Sequence, residues 1–229
     1  MPRKKSSQIH SPLGLNSQIH SINFKQREFN FSNKQQLLLE AVLDPKMKII
    51  FVSGPAGSSK TYMSVYGCLQ LMAKDFNKDL LYIRSIAESA DKGLGSLPGD
   101  ISDKFDPFLM PLYDKLDEMV HEGDTAYMKK IERISAVPIN FLRGANWNNK
   151  LIVADEAQNF TFKELTTLIT RIGEETKLVI CGFREMFELF DSEESLEQGI
   201  TSFKFNNRDI VRSKILKYIV SKIEKHKNI

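Results

Sequence analysis

The sequence predicts an α/β fold in which a mostly parallel sheet is covered by helices and organised around a phosphate-binding loop. Three observations carry that expectation. Short apolar runs of strand length alternate with longer stretches of helical spacing. One such run, Ile49–Val52, passes directly into Gly54-Pro-Ala-Gly-Ser-Ser-Lys-Thr61. Another, Leu151–Ala154, ends in two adjacent carboxylates, Asp155 and Glu156.

The loop has the order that phosphate binding needs: strand, glycine-opened turn, then a helix beginning at Lys60 and Thr61. Backbone N–H groups and the positive end of the helix dipole cradle phosphate oxygens there. Gly54, Pro55, Ala56, Gly57, Ser58, Ser59, Lys60, Thr61 and Tyr62 are therefore the candidate nucleotide-binding residues. Lys60 is expected on the β- and γ-phosphates and Thr61 on Mg²⁺. One position departs from G-x-x-x-x-G-K-[ST]: Ser59 stands where the second glycine belongs. A serine there either keeps φ negative or accepts strain.

Bulk properties bound the rest. A chain of 229 residues supports one sizeable core, or one domain with an appendage. A hydrophobic content of 41%, a charged content of 27% and a net charge of +3 are ordinary for a globular protein, so composition alone does not announce a nucleic-acid binder. Cys68 and Cys181 lie far apart among apolar neighbours, which reads as two buried free thiols in a reducing compartment. No apolar run approaches the ~20 residues of a membrane span, and no apolar stretch follows the basic start as in a signal peptide. A cytoplasmic protein with no membrane partner is expected.

In chain order, residues 1–30 read as a flexible basic arm, opening on Arg3-Lys-Lys5 and rich in Ser, Gln and Asn; residues 31–229 read as the folded domain. Ser32-Asn-Lys-Gln-Gln36 leads into a short helix that begins at Leu37 and stops at Asp44-Pro45. Gln36, just before it, is placed to hydrogen-bond adenine. After the loop, Tyr62 to about Ala73 has helical spacing, and Leu80–Ile83 is a second strand. Residues 84–100 contain three glycines and a proline, a loop too long for a mere connector. The prolines at 107 and 111 are expected to break or kink the helical stretch that follows. Pro138–Leu142 is a candidate strand, and Thr161-Phe-Lys-Glu164 a capping box whose helix Gly173 ends. Leu178–Cys181 and the region of Phe203 and Phe205 supply further strands. The last helix is expected to turn Ile215, Leu216, Ile219, Val220 and Ile223 inward and its lysines outward. In ATPases built on this loop, a strand beside it ends in an Asp that holds Mg²⁺. The Glu that follows, here Glu156, polarises the attacking water.

Taken together the segments resemble the PhoH family of P-loop ATPases over about 190 residues, from near Asn33 to the last helix. The resemblance rests on Gly54–Thr61 (GPAGSSKT), Leu94–Asp100 (LGSLPGD), Asp106–Asp114 (DPFLMPLYD), Leu142–Gly144 (LRG), Ala154–Asn159 (ADEAQN) and Asp209–Arg212 (DIVR), in the family's order. It implies a three-layer αβα RecA-like P-loop NTPase core related to the N-terminal core of superfamily-one helicases. It further implies ATP and Mg²⁺ as cofactors, Gln36 at adenine, and RNA or single-stranded nucleic acid as partner. Short length and a basic arm are compatible with a phage-encoded version. Two positions depart from the family: Ser59 in the loop, and Cys181-Gly-Phe-Arg-Glu-Met186, where Phe183 and Met186 replace the Asp and Gln of the γ-phosphate sensor.

One RecA-like core cannot strain nucleic acid between two such domains. Motor activity therefore implies a homo-oligomeric ring, such as a hexamer, whose sites lie between subunits and receive an arginine from a neighbour; Arg212 and Arg143 are the candidates. The rival reading is an ATP-gated scaffold that hydrolyses little because its sensor is altered. A small-molecule kinase would need an arginine-rich lid, which the sequence does not offer.

Overall fold

The computed structural model describes residues 26–85, 101–121, 123–142, 147–182 and 188–227. Among them six strands form one sheet: β1 (Ile49–Ser53), β2 (Asp79–Arg84), β3 (Ile134–Pro138), β4 (Lys150–Asp155), β5 (Lys177–Cys181) and β6 (Ile200–Lys204). Their spatial order is β3-β2-β4-β5-β1-β6, and every pairing is parallel. The continuous apolar runs of β1, β2, β4 and β5 follow from this, since a parallel sheet is covered on both faces and needs no polar side. β5 is buried along its whole length and β4 at all but its first residue.

One face carries α1 (Asn33–Leu43), α2 (Lys60–Lys74), α3 (Ile101–Met119) and α4 (Asp124–Lys130). There Leu38, Val42, Met63, Leu69, Leu112, Leu116 and Met128 are wholly buried against Ile50, Leu80 and Val153. The other face carries α5 (Phe162–Ile169) and the turns around it, with Leu165 and Leu168 packed on Ile83, Ile152 and Ile180. Two shorter pieces complete the chain, α6 (Glu193–Glu197) before β6 and α7 (Lys214–Lys227) after it. This is the expected three-layer αβα architecture.

Helix starts follow local chemistry. Ser32 and Gln35 form a reciprocal capping box at α1, and Thr161 and Glu164 do the same at α5. The buried Lys177 ammonium donates to the carbonyls of Val42 and Asp44 at the end of α1, both at 2.6 Å. It thereby satisfies acceptors that a helix C-terminus leaves open.

Several expectations are corrected. The strand placed at Pro138–Leu142 lies earlier, at Ile134–Pro138, and residues 139–141 form a single 3₁₀ turn. Pro138 has no N–H to donate, so the edge strand tolerates it only at its end. The prolines at 107 and 111 do not end α3, which is continuous over 19 residues. Each removes one helical hydrogen bond, and full burial of Leu112, Leu116 and Met119 offsets that loss. Gly173 does not terminate α5, which stops at Ile169 with Thr170 as its cap. Gly173 is instead a close approach: its N–H donates to the Trp147 carbonyl at 2.7 Å, and a Cβ would stand 2.6 Å from that oxygen. Gln36 lies inside the first turn of α1 rather than before it. The strand ending in Asp155 is not beside β1, because β5 pairs with both and separates them. Finally, Ile215, Ile219 and Ile223 are exposed, while Leu216 and Val220 are half-buried.

Of the segment read as an arm, residues 26–30 lie against the domain. Gln26 bridges to Val120, and the Tyr66 hydroxyl donates to the Arg27 carbonyl at 3.1 Å. Phe29 and Phe31 meet Tyr66 edge-on, with ring centroids 5.9 and 5.0 Å away. Residues 1–25, most of the 84–100 loop, and Phe183 through Met186 lie outside the described residues.

Candidate nucleotide site

The loop between β1 and α2 closes over its own lysine. Lys60 Nζ donates to the carbonyls of Gly54 and Pro55, each at 2.9 Å, so the ammonium sits across the mouth of the loop. Burial draws its pKa below the ordinary lysine value, and the neighbouring acidic groups Cys181, Glu156 and Asp155 oppose that shift. The wholly buried Ser58 donates to the Pro55 carbonyl at 2.8 Å, which pins the turn. Ser59, where a glycine was expected, takes φ 63° and ψ 23°. Of the two options open to it, the chain accepts strain, at a cost of roughly 1–2 kcal/mol for an L-residue in the left-handed region.

Asp155, at the end of β4, is buried with only 4% of its surface exposed. Both its oxygens are engaged: Thr61 Oγ1 donates to Oδ1, and the Tyr82 hydroxyl donates to Oδ2. Tyr82 comes from β2, whose register sets it opposite Val153, two residues before Asp155. Burial first, and then the Asp155 charge, drives the Tyr82 phenol pKa upward, so it remains a donor. The next residue, Glu156, adopts φ 51° and ψ 39°, a second non-glycine in the left-handed region. That conformation turns the chain from strand into the short 3₁₀ segment Ala157–Asn159. Gln158 Nε2 donates to Glu156 Oε2, while its amide oxygen lies against Gly182 at the tip of β5. A Cβ at Gly182 would stand 1.9 Å from that oxygen.

The donor set fits ATP with Mg²⁺. A hydroxyl and a carboxylate already in contact, supplied by the loop helix and a neighbouring strand, are the hard oxygen ligands that Mg²⁺ takes alongside phosphate oxygens and water. Lys60, which bonds two loop carbonyls, is placed to exchange them for phosphate oxygens. No cluster of three or more His, Cys, Asp or Glu suited to a metal occurs among the described residues.

The remaining candidates are distributed around this centre. Tyr62 follows Thr61 and meets Phe29 edge-on, with centroids 5.7 Å apart. Gln36 is exposed, and its amide donates to the Phe31 carbonyl at 3.3 Å. Its helix is tied to the segment after β6 by an ion pair between Lys34 and Asp209 at 3.2 Å. Arg212 is exposed, with its Cβ over the loop of its own chain: a Cβ added at Gly57 would stand 3.2 Å from it. Arg143 lies outside the described residues. A cavity of about 560 Å³ opens beside the start of the loop, lined by Ser53, Gly54, Pro55 and Gly182 and by Lys204 through Arg208. It lies at the carboxyl ends of β1, β5 and β6, where parallel sheets bind ligands. Sequence reasoning missed its far wall, and it missed Tyr82 and Gln158 as positioning residues. The one available signal for the wall was its place directly after the last strand.

Comparison with known proteins adds to this geometry. The family model described as "PhoH-like protein" matches residues 30–224. A PhoH-like protein of Synechocystis is 30% identical over 205 residues, covering 85% of this chain and 62% of its own length. A PhoH-like protein of Bacillus subtilis is 29% identical over 187 residues, covering 77% and 58%. Protein PhoH of Escherichia coli is 30% identical over 198 residues, covering 79% and 54%. The chain thus spans somewhat over half the length of these relatives. A solved chain in the structure of Drosophila ORC bound to DNA aligns at a TM-score of 0.30 and 14% identity, covering 96% of this chain and 60% of that one, a likeness too weak to bear on function. With the loop, the Asp155–Glu156 pair and the all-parallel sheet in place, the match over residues 30–224 establishes that the chain belongs to the PhoH family.

Proposed function

We propose that the protein is a Mg²⁺-dependent ATPase that acts on or with RNA or single-stranded nucleic acid as a homo-oligomeric ring. The observation that carries the catalytic part is the Thr61–Asp155–Tyr82 contact beside Glu156, at the mouth of a loop closed by Lys60. Loop amides and Lys60 bind the β- and γ-phosphates. Thr61 and Asp155 would hold the metal, and Tyr82 fixes the rotamer of Asp155. Bound there, Mg²⁺ would supply neutralisation of the charge that develops during phosphoryl transfer. Glu156 orients a water in line with the γ-phosphorus and accepts its proton as the new P–O bond forms and the bond to ADP breaks. Gln158 aims Glu156 and joins it to the tip of β5.

Nucleic acid as partner is supported by the cations that line the cleft at this end of the sheet, Lys204 and Arg208. Two observations favour the rival reading, an ATP-gated scaffold with little turnover. They are the strained Ser59 and the Phe183 that stands in place of the family's polar sensor residue. The intact Asp155–Glu156 pair weighs against it.

The test is hydrolysis of ATP with and without single-stranded RNA, together with particle mass. Expected are Mg²⁺-dependent turnover that rises with RNA and a mass several-fold that of one chain. ATP binding without turnover under any condition selects the scaffold instead.

A further inference from the structure

We infer that α7 of one copy docks in the groove between α6 and β6 of a second copy, so that chains join head to tail with each nucleotide loop beside a subunit boundary. The inference rests on the oligomeric part of the proposed function and names the surfaces that would carry it.

Helix α7 presents its apolar residues in the wrong direction for a helix that serves only its own domain. Leu216 rests on the loop, where a Cβ at Gly57 would stand 2.5 Å from its Cδ2. The row Ile215–Ile219–Ile223 faces away, with exposures of 69%, 44% and 51%. Beside it lies the row Lys214–Tyr218–Lys222, also exposed, with Lys222 Nζ 5.6 Å from the Tyr218 ring centroid. From Arg212 to Lys222 the chain has four cations and no carboxylate. This is a cationic apolar strip one helix long.

A complementary surface exists on the same chain. From Glu188 to Glu197 there are five carboxylates and no cation, and Leu189 and Leu196 are exposed at 64% and 51%. Between α6 and β6 runs a cavity of about 310 Å³ whose lining includes Phe190, Glu193, Leu196 and Ile200. β6 is the outermost strand, so the groove lies on an open edge of the sheet. α6 enters β6 at its amino end and α7 leaves from its carboxyl end, so the two surfaces lie toward opposite ends of one strand.

Charge selects the occupant. Two α7 helices facing one another would set lysines against lysines, which costs affinity. α7 against α6 pairs ammonium with carboxylate around apolar centres, the usual anatomy of a specific interface. Such a contact is heterologous: each copy uses one surface to reach forward and the other to receive, which gives a ring if the rotation closes. Nucleic acid would engage the lysines but leave the isoleucine row in water. Because Leu216 and Arg212 stand over Gly57, a neighbour on α7 and a nucleotide in the loop act on the same segment. Their binding is then coupled, and the coupling is reciprocal.

Charge reversal tests this on the full chain by sedimentation. One variant carries Lys214→Glu and Lys222→Glu, the other Glu193→Lys and Glu194→Lys; all four positions are exposed. Wild type is expected at several times the monomer mass, each variant alone as a monomer, and an equimolar mixture as assemblies again, since every interface in an alternating array regains opposite charges. Recovery in the mixture also shows that both variants are folded. Variants that assemble like wild type, or a mixture that stays monomeric while wild type assembles, overturn these surfaces and leave the oligomeric reading standing. Wild type that stays monomeric with and without Mg²⁺–ATP removes that reading as well. If the lysine reversals abolish binding to a single-stranded RNA oligonucleotide or to anionic lipid vesicles and leave the mass unchanged, α7 is a nucleic-acid or membrane surface, and the inference is overturned.

Discussion

At the residue scale the site turns on how Asp155 is held. Its two oxygens accept from Thr61 and Tyr82, so the carboxylate is aimed by side chains of the fold itself. A hydrogen bond to a charged group contributes ~1.5–3 kcal/mol. Tyr82→Phe is therefore expected to weaken Mg²⁺–ATP binding roughly tenfold, read by titration calorimetry; unchanged affinity would show that Tyr82 only fills space. Nothing in Leu80–Ile83 distinguished this tyrosine from its apolar neighbours, because its role exists only once β2 pairs with β4. Gln158 was hidden for the same reason, since its two contacts lie on Glu156 and on β5. Ser59 was legible as a departure, though not in its outcome, because only the folded loop fixes φ at 63°. Ser59→Gly is expected to raise stability by about 1 kcal/mol in urea unfolding, through release of that strain. A lowered urea midpoint would contradict the strain argument.

At the scale of elements, the strands buried on both faces were legible as unbroken apolar runs. Of the two capping boxes only Thr161–Glu164 was read from the sequence, and the Ser32–Gln35 box emerged with the fold. The elements misread are those whose fate depends on a partner. β3 is an edge strand, half-buried over part of its length, whose weak pattern let the reading slide toward Pro138. α3 survives two prolines through buried contacts that the sequence does not display. α7 looked like a core helix because its apolar spacing is helical, yet it meets this chain along one side, through Leu216 on the loop and Lys217 on the Arg208 carbonyl. The Leu216 contact crowds Gly57, which has φ 80° and where a Cβ would stand 2.5 Å from Leu216 Cδ2. Gly57→Ala is expected to cost ~1–2 kcal/mol and to lower ATP affinity along with it. Loss of one without the other, in paired urea and ATP titrations, would separate the loop from the helix.

For the whole molecule, burial sets an alkaline limit. It pushes the Cys68 and Cys181 thiols and the Tyr62 phenol up to about 12. The folded chain thus retains protons that the unfolded chain releases above about pH 9, and stability is lost as pH rises from there toward 12. Lys177 acts in the opposite sense, since burial lowers it to about 8 and adds stability between that pH and its ordinary value. Burial also raises the Tyr66 and Tyr82 phenols and lowers Lys60, so five groups against two give a net fall, measurable as a declining urea midpoint above pH 9; a midpoint that holds or rises would contradict it. The same burial predicts that neither thiol reacts with a thiol reagent near neutral pH until the chain is unfolded.

The central claim is that Lys60, Thr61, Asp155 and Glu156 form a working ATPase site on this fold. Its most direct test is steady-state hydrolysis of Mg²⁺–ATP by wild type and by Glu156→Gln, with ATP affinity measured on both. The account predicts affinities within a few-fold of each other and a turnover at least ~10² lower in the variant, the scale of a lost general base. Equal turnover in the two proteins, or a wild type that binds ATP and does not hydrolyse it, would contradict that account.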